Sequence, residues 1–457
     1  MRAEPKSKAV PSASVWGAEG PLPAYVASIA MFLICMDTLI TNVALPTIEA
    51  ELGGGMAAQQ WIVDGYTMPL AMLLLCAGNI SDRLGAKRVF IAGMAGFAVA
   101  SLICALANSV PMLVLGRVAL GIAGALTLPS SMSLINEAYL VERARSRALA
   151  IWGIGGSAAT ACGPLLGGLL VPIHWGWVFA INVPVCAVVL LMARHLPTSP
   201  TRPVPFDMPS QVLAIAGIGG LTCGVIEAGG QGFLAPLPLA CMLVGAIGCI
   251  AFVVRQQHAE YPMMPLTLFE SEGMRIALYG GFSMILSWNG MIFLSTLFLQ
   301  QGLGASPLMC GLAFAPAAVT SVIGNLLSDR LAGSRGMRFP LSAGMAVLFV
   351  GYGMFVVCGG VMSSIAVSAA VCIVGLGGAL TTPCLASLVL KSTGAEHGGV
   401  ASAVFNTLRQ VGGALGIAVF GALVAVSPSF QAGMTASLGI SVVLILLLFI
   451  SVRRSGV

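Results

Sequence analysis

Five ionisable side chains stand inside stretches of this chain that are otherwise apolar: Asp37, Asp64, Arg117, Glu227 and Arg409. In a segment surrounded by lipid, such residues are rare and mark paths for protons, ions or charged solutes. Asp37 belongs to the run Met-Asp-Thr-Leu-Ile-Thr-Asn-Val-Ala-Leu-Pro at 36–46. It lies about 20 Å from the near end of its segment at 1.5 Å of rise per residue, and Arg117 lies about 9 Å in from the opposite end of a later one. The two depths differ by less than the reach of the side chains, so the pair is expected to meet. A carboxyl that alternates between an apolar pocket and a guanidinium takes up and gives up a proton, which is the chemistry of proton coupling. The competing reading is a static ion pair joining the first and fourth segments. Such a pair adds little stability over a well-packed apolar contact, and coupling is therefore preferred.

Arg409 stands in Asn-Thr-Leu-Arg-Gln-Val-Gly-Gly at 406–413 and is placed as the counterpart of Arg117 in a second half of the molecule. No acidic residue of the later segments lies deep enough to partner it. Three partners remain open: an anionic substrate group, backbone carbonyls, or an acid of the first half. Asp64 and Glu227 fall near the outer ends of their segments, where solvation at the interface and a site for a cation or proton are balanced readings. With Asn42 and Arg409 they form the candidate set for a substrate cavity. Glu137 ends its segment beside a loop of arginines and is expected to pair locally.

Two further features have mechanical rather than chemical content. The tetrapeptide Ser-Asp-Arg-Leu occurs at 81–84 and 328–331, each time preceded by Gly-Asn, at 78–79 and 324–325. A plain topology signal explains the basic residues of these turns but not the acid. The first turn, with Gly78, Asp82, Arg83, Gly85 and Lys87, and the second, with Asp329 and Arg330, are read as a charged latch between halves. The fifth segment carries Gly153, Gly155, Gly156, Gly163, Pro164, Gly167 and Gly168. Small residues let helix backbones approach and proline loosens the local hydrogen-bond ladder, as a rocking interface requires.

Composition says what positions these residues. Of 457 residues, 58% are hydrophobic and 8% charged, and the mean hydropathy is +0.98. Soluble domains carry about 25% charged residues, so this chain is an all-α integral membrane protein with lipid as its solvent. About 20 apolar residues span a bilayer, and fourteen such stretches are legible: 24–48, 58–80, 88–108, 112–135, 146–171, 176–195, 209–229, 235–255, 274–299, 307–328, 339–359, 362–390, 400–425 and 432–452. Lys and Arg crowd into alternate connections and both termini, while 49–57, 172–175, 230–234 and 426–431 carry none. The positive-inside rule then places both termini in the cytoplasm, which requires an even number of spans. The net charge of +5 is thus a matter of orientation and implies no nucleic acid.

A second repeat, Gly-Ile-Ala-Gly-Ala-Leu-Thr-Leu-Pro at 121–129 and Gly-Leu-Gly-Gly-Ala-Leu-Thr-Thr-Pro at 375–383, makes segments 1–6 equivalent to 9–14 in the same orientation. Parallel six-helix repeats describe the major facilitator architecture. The expected organisation is a disordered cytoplasmic tail (1–21), an N-terminal six-helix bundle (22–195), a linker with an inserted helix pair (196–255), a cytoplasmic linker (256–273) and a C-terminal bundle with a short tail (274–457). The twelve cysteines are scattered singly, without metal-binding or redox spacing. No metal, cofactor, nucleophile–base set or phosphate loop is indicated, and the chain reads as no enzyme.

With these residues in view, the chain resembles the fourteen-helix drug:proton antiporter family of the major facilitator superfamily, from about Tyr25 to the last segment. The likeness rests on Asp37, Asn42, Ala44, Leu45 and Pro46 in segment 1, and on Gly78, Asp82, Arg83, Gly85 and Lys87 in the first loop, with Ala86 where a basic residue is usual. Arg117 and Gly121 match in segment 4, and Gly153, Gly163, Pro164, Gly167 and Gly168 form the antiporter motif of segment 5. Trp175 to Pro184 resembles the start of segment 6, with Gly176 where Arg is common. Trp61-Ile-Val-Asp-Gly-Tyr at 61–66 is similar to the second segment of methylenomycin-resistance and multidrug exporters. The resemblance implies efflux of amphipathic small molecules from a bacterial cytoplasm across the inner membrane, driven by protons, with Asp37 and Arg117 in coupling roles and a monomer sufficient. A facilitator or importer of a small metabolite on the same fold is the alternative.

Overall fold

In a bilayer every backbone polar group must be satisfied within the chain, and long apolar runs therefore fold as helices. The computed structural model describes residues 20–201, 207–260, 262–358, 363–393 and 398–455. In chain order the helices are α1 (Leu22–Leu52), α2 (Gly55–Leu84), α3 (Ala86–Ala105), α4 (Val110–Ala138), α5 (Glu142–Leu170), α6 (Trp177–Ala180), α7 (Asn182–Ala193), α8 (Met208–Gln231), α9 (Pro236–His258), α10 (Glu272–Leu297), α11 (Pro307–Arg335), α12 (Arg338–Cys358), α13 (Ser364–Ser392), α14 (Gly398–Val426) and α15 (Phe430–Arg454). Twelve of them are long and apolar enough to cross a membrane. Among the described residues α2, which bends by 60° beyond Leu74, brings the number to thirteen if it counts as one span. The shorter apolar stretch Trp177–Ala193 occupies the place of the remaining segment expected from the sequence, so the arrangement fits fourteen without establishing that number. Local chemistry sets the ends. Ser271, Ser306, Ser363 and Ser429 each accept a backbone N–H at a helix start, and Gly85 turns the chain from α2 into α3 at φ 90°, where a side chain is strained.

The two halves pack by one scheme. In the first, α1 lies on α5, α2 and α3 lie on α4, and α3 meets α7. In the second, α10 lies on α14, α11 and α12 lie on α13, and α12 meets α15. Helix α14 is thus the equivalent of α5, and α13 of α4. This corrects one expectation: Arg409, on α14, is not the counterpart of Arg117, on α4. The two most extensive contacts between the halves are crossed, α5 with α11 and α2 with α14, and α1 also touches α10 and α11. At α5–α11 the approach is backbone to backbone: a Cβ on Gly311 would stand 2.3 Å from the Pro164 carbonyl, and one on Gly168 would stand 2.7 Å from Leu308 Cα.

The pair α8–α9 is inserted between the halves. A seam of Gly217, Gly220 and Gly224 against Gly245 and Gly248 brings the two helices together so closely that a Cβ on Gly220 would lie 2.7 Å from the Gly245 nitrogen. Small residues at such spacing permit close helix contact in lipid. Helix α8 also packs on α2 and α14, and α9 turns Leu243, Ile247 and Ile250 outward. The expected tail at 1–21 falls outside the described residues up to 19, and so do 202–206 of the first linker. The second linker, 256–273, makes one 3-10 turn, Leu266–Phe269. It is tied to the inserted pair through Gln256, which donates to Ser210 Oγ at 2.7 Å and accepts the Met264 N–H at 2.9 Å.

Candidate functional site

Between the halves lies a cavity of about 1320 Å³. Along α2 it is lined from Thr67 to Asp82, along α5 from Arg145 to Thr160, along α11 by Ala318, Ser321 and Asn325, and along α14 from Val400 to Gln410. Each stretch ends at the pole that holds the Ser-Asp-Arg-Leu turns, where the halves diverge. At the opposite pole they are sealed by polar contacts. Gln60 donates to the carbonyls of Ile417 (3.2 Å) and Ala418 (2.8 Å), Gln300 donates to the Val43 carbonyl (2.9 Å), and Gln301 donates to Glu49 Oε2 (2.9 Å). The cavity is therefore open at one pole and closed at the other.

Asp37 and Arg117 meet in the N-terminal half as an ion pair, and both are fully buried. Arg117 Nε also donates to the Ile62 carbonyl at 2.8 Å, and its guanidinium carbon stands 4.5 Å from the centroid of Tyr66 and 5.7 Å from that of Phe179. Stacking on aromatic faces is a stabilising position for a cation out of water. Gly121 makes this possible: a Cβ there would collide with the Tyr66 carbonyl at 2.4 Å, and its absence lets α4 reach α2. The other carboxylate oxygen of Asp37 accepts from Asn182 Nδ2 at 3.2 Å, which also donates to Ser101 Oγ at 3.3 Å. One nitrogen of the pair, Arg117 Nη2, has no hydrogen-bond partner. Neither Asp37 nor Arg117 lines the cavity.

Among the four cavity candidates, Arg409 lines the cavity and the other three do not. Asp64 is fully buried, not solvated at an interface. It accepts from Thr67 Oγ1 at 2.9 Å, and its second oxygen has no partner. Because Thr67 lines the cavity, Asp64 stands one hydrogen bond behind the wall. Glu227, half-buried, accepts from Trp61 Nε1 at 3.0 Å and so fastens α8 to α2. Asn42 donates to the Thr38 carbonyl within its own helix.

In the charged turns, Gly78 and Asp82 face the cavity, and Gly85 supplies the reversal. Lys87 donates to the carbonyls of Arg194 and Leu196, while its own N–H binds Ser199 Oγ, which donates to Glu137. These hydrogen bonds of Lys87 thus reach the end of the N-terminal bundle and the start of the linker that follows it, not the C-terminal half. Asp329 and Arg330 sit in the last turns of α11. In α5, Gly153 faces the cavity, Gly163 and Gly167 press on Leu39 and Val43 of α1, and Gly168 presses on α11. Among the described residues no cluster suited to a metal ion occurs.

The sequence reading passed over Tyr66, Phe179 and Asn182 around the ion pair and the glutamines at the sealed pole. Tyr66 lies in the run 61–66, and Phe179 and Asn182 lie in 175–184, where residue identity marks a resemblance but does not say what each side chain touches. The glutamines carried no signal, since a neutral amide near a segment end looks like any interfacial residue.

Comparison with known proteins bears on this geometry. The model of the family described as the Major Facilitator Superfamily matches residues 27–417. The chain belongs to the major facilitator superfamily. It is 32% identical over 411 residues to the methylenomycin A resistance protein of Bacillus subtilis (strain 168), covering 89% of this chain and 88% of that one. It is 33% identical over 401 residues to the multidrug efflux pump LfrA of Mycolicibacterium smegmatis, covering 87% and 79%. Among solved structures it is similar in fold to the peptide transporter POT in complex with sulfate, with a TM-score of 0.70, 15% identity and 94% of each chain covered. This superfamily member is a multi-pass membrane protein whose helices surround a cavity open at one pole.

Proposed function

We propose that this protein is a proton-coupled exporter of amphipathic small molecules, working by alternating access in the cytoplasmic membrane of a bacterium, with both termini in the cytoplasm. It carries out no covalent chemistry, and a monomer is sufficient. The observation that carries the reading is a buried Asp37–Arg117 pair set behind a cavity that is open at one pole only. On the orientation set by the basic loops, the open pole faces the cytoplasm. On this reading the conformation with Asp37 paired to Arg117 is the one into which substrate loads. Arg117 lies near the start of α4, toward the sealed pole. When that pole opens, water reaches the pair and a proton neutralises Asp37. Arg117 then keeps Ile62 and the faces of Tyr66 and Phe179 as its partners. Return to the present conformation restores the pair and expels the proton inward. The relatives named for drug and antibiotic resistance support a drug-like cargo.

The test uses inverted membrane vesicles energised by a proton gradient. A substrate should provoke a proton leak with the native protein and none with Asp37→Asn, at equal amounts of protein in the membrane. Removing one member of a buried pair costs about 3–5 kcal/mol, so folding of the variant is checked by its elution profile and melting temperature. Undiminished coupling in a folded Asp37→Asn protein would remove Asp37 from the mechanism.

A further inference from the structure

The substrate class of this cavity is written in its fixed charge. Arg409 lies 11 residues into α14, about 17 Å from the helix start at 1.5 Å per residue, and so at mid-depth in a hydrocarbon core about 30 Å thick. Its stem is held in place, since a Cβ on Gly281 would touch Arg409 Cγ at 3.0 Å and the Phe405 ring at 2.5 Å. The guanidinium carbon stands 5.6 Å from the Phe405 centroid. One donor, Nη1, binds Asn406 Oδ1 at 3.3 Å. Nε and Nη2 make no bond to the described protein and are not sealed from the cavity. No acid forms an ion pair with Arg409 among the described residues.

The rest of the wall sharpens the contrast. Of the described residues that line the cavity, only Asp82, Arg145 and Arg409 carry charge. Asp82 and Arg145 both belong to the open rim, at the end of α2 and the start of α5. Deeper in the cavity Arg409 is therefore the single fixed charge among the described lining residues, beside neutral hydrogen-bonding groups such as Thr38, Asn289 and Gln410 and the apolar faces of Trp288 and Met284. A lipophilic cation entering here would meet a cation and no described acid on the wall, Asp64 being set behind Thr67. An organic anion would find a planar fork of free donors, which matches a carboxylate in two parallel bonds.

We infer that the substrate of this exporter is an amphipathic organic anion, its acidic group bound by Arg409 and its apolar body by Trp288 and Met284. The inference rests on the exporter reading, and it carries an energetic consequence. Exchange of one monoanion outward for one proton inward moves two elementary charges in the direction favoured by an inside-negative potential. The same exchange with a monovalent cation moves none.

The experiment measures binding to the purified full-length protein in lipid nanodiscs, with no gradient. Three probes share one apolar body: 4-biphenylcarboxylate, 4-biphenylcarboxamide and 4-biphenylmethylamine. The carboxylate should bind at least about tenfold tighter than the amide, as loss of a charge-assisted hydrogen bond implies. Arg409→Gln should bring the carboxylate down to the affinity of the amide and leave the amide unchanged. Arg409→Lys should keep part of the preference, because the charge remains while the fork is lost. The inference is overturned if the amine binds tightest, if the wild type binds all three alike or none, if Arg409→Gln leaves carboxylate binding intact, or if both Arg409 variants lose all three probes together. Because no proton moves in this assay, its failure leaves the coupling role of Asp37 standing, and failure of the vesicle test leaves Arg409 standing.

Discussion

Gln60 offers a direct way to shift the balance between the two faces of the transporter. Its side-chain amide, 1% exposed, is the only polar side chain among the described residues that donates from α2 to α14, and it reaches two carbonyls of that helix. Both carbonyls lie inside α14 and keep their own helical partners, so truncation to alanine strands no acceptor. The loss is then the net value of two buried hydrogen bonds, about 1 kcal/mol each, or about 2 kcal/mol in all. These bonds exist only while the pole is sealed. Gln60→Ala should therefore raise the population open at that pole by about 30-fold relative to the sealed one.

Hydrogen–deuterium exchange of the protein in nanodiscs reads this without altering its cysteines. Faster exchange is expected around the start of α2 and the end of α14, with slower exchange around Asp82 and Arg145 at the other pole. Gln300→Ala, which removes a bond to Val43 on the opposite side of the molecule, should add its own increment, since the two sites share no partner. Exchange unchanged from the wild type at both poles in the double variant would refute the view that these amides hold the closed state.

Two further perturbations follow from local geometry. Gly155→Ala places a Cβ 2.2 Å from the Ser28 carbonyl, a backbone atom that cannot swing aside. It should lower stability by about 1–3 kcal/mol as overpacking does, seen as a lower melting temperature, whereas Gly153→Ala, with open space at its Cβ, should leave it unchanged. Asp207 caps α8 outside the apolar span. Partial burial raises its carboxyl, but the bonds from Ser210 and the ion pair with Arg255 outweigh this and hold it below the ordinary aspartate range. A group lowered in the folded state stabilises fully above its unfolded value, about 3.9, and less as pH falls through the folded one. The melting-temperature gap between wild type and Asp207→Asn should thus be constant above about pH 5 and close below pH 4; a gap that widens in acid would contradict the assignment.

The parts of this molecule that were legible in the sequence are those whose physics is one-dimensional. Apolar run length set the helices, the two Ser-Asp-Arg-Leu turns and the Gly-Pro repeat revealed the duplication, and equal depth along separate helices brought Asp37 to Arg117. Equal depth was insufficient for Asp64 and Arg409, because depth does not say which way a side chain faces. Asp64 lies three residues before Thr67, yet Thr67 lines the cavity and the acid stands behind it, bound to that hydroxyl. Arg409 was matched with Arg117 by residue type, but its true equivalent helix is set by packing: α14 lies on α10 as α5 lies on α1.

That difference decides the chemistry available to the two arginines. The first half of α4, where Arg117 sits, lies off the cavity, which α4 lines only from Leu128 to Asn136, and Arg117 is fully buried there against Asp37, Ile62 and Tyr66. Helix α14 borders the cavity over its first half, and an arginine there needs no internal acid because solvent or a solute completes its shell. The same residue type at similar depth therefore holds a fixed ion pair in one half and an open donor fork in the other. A duplicated scaffold thus gives its two arginines different surroundings, since Arg117 lies on a stretch of α4 away from the cavity and Arg409 on a stretch of α14 that lines it.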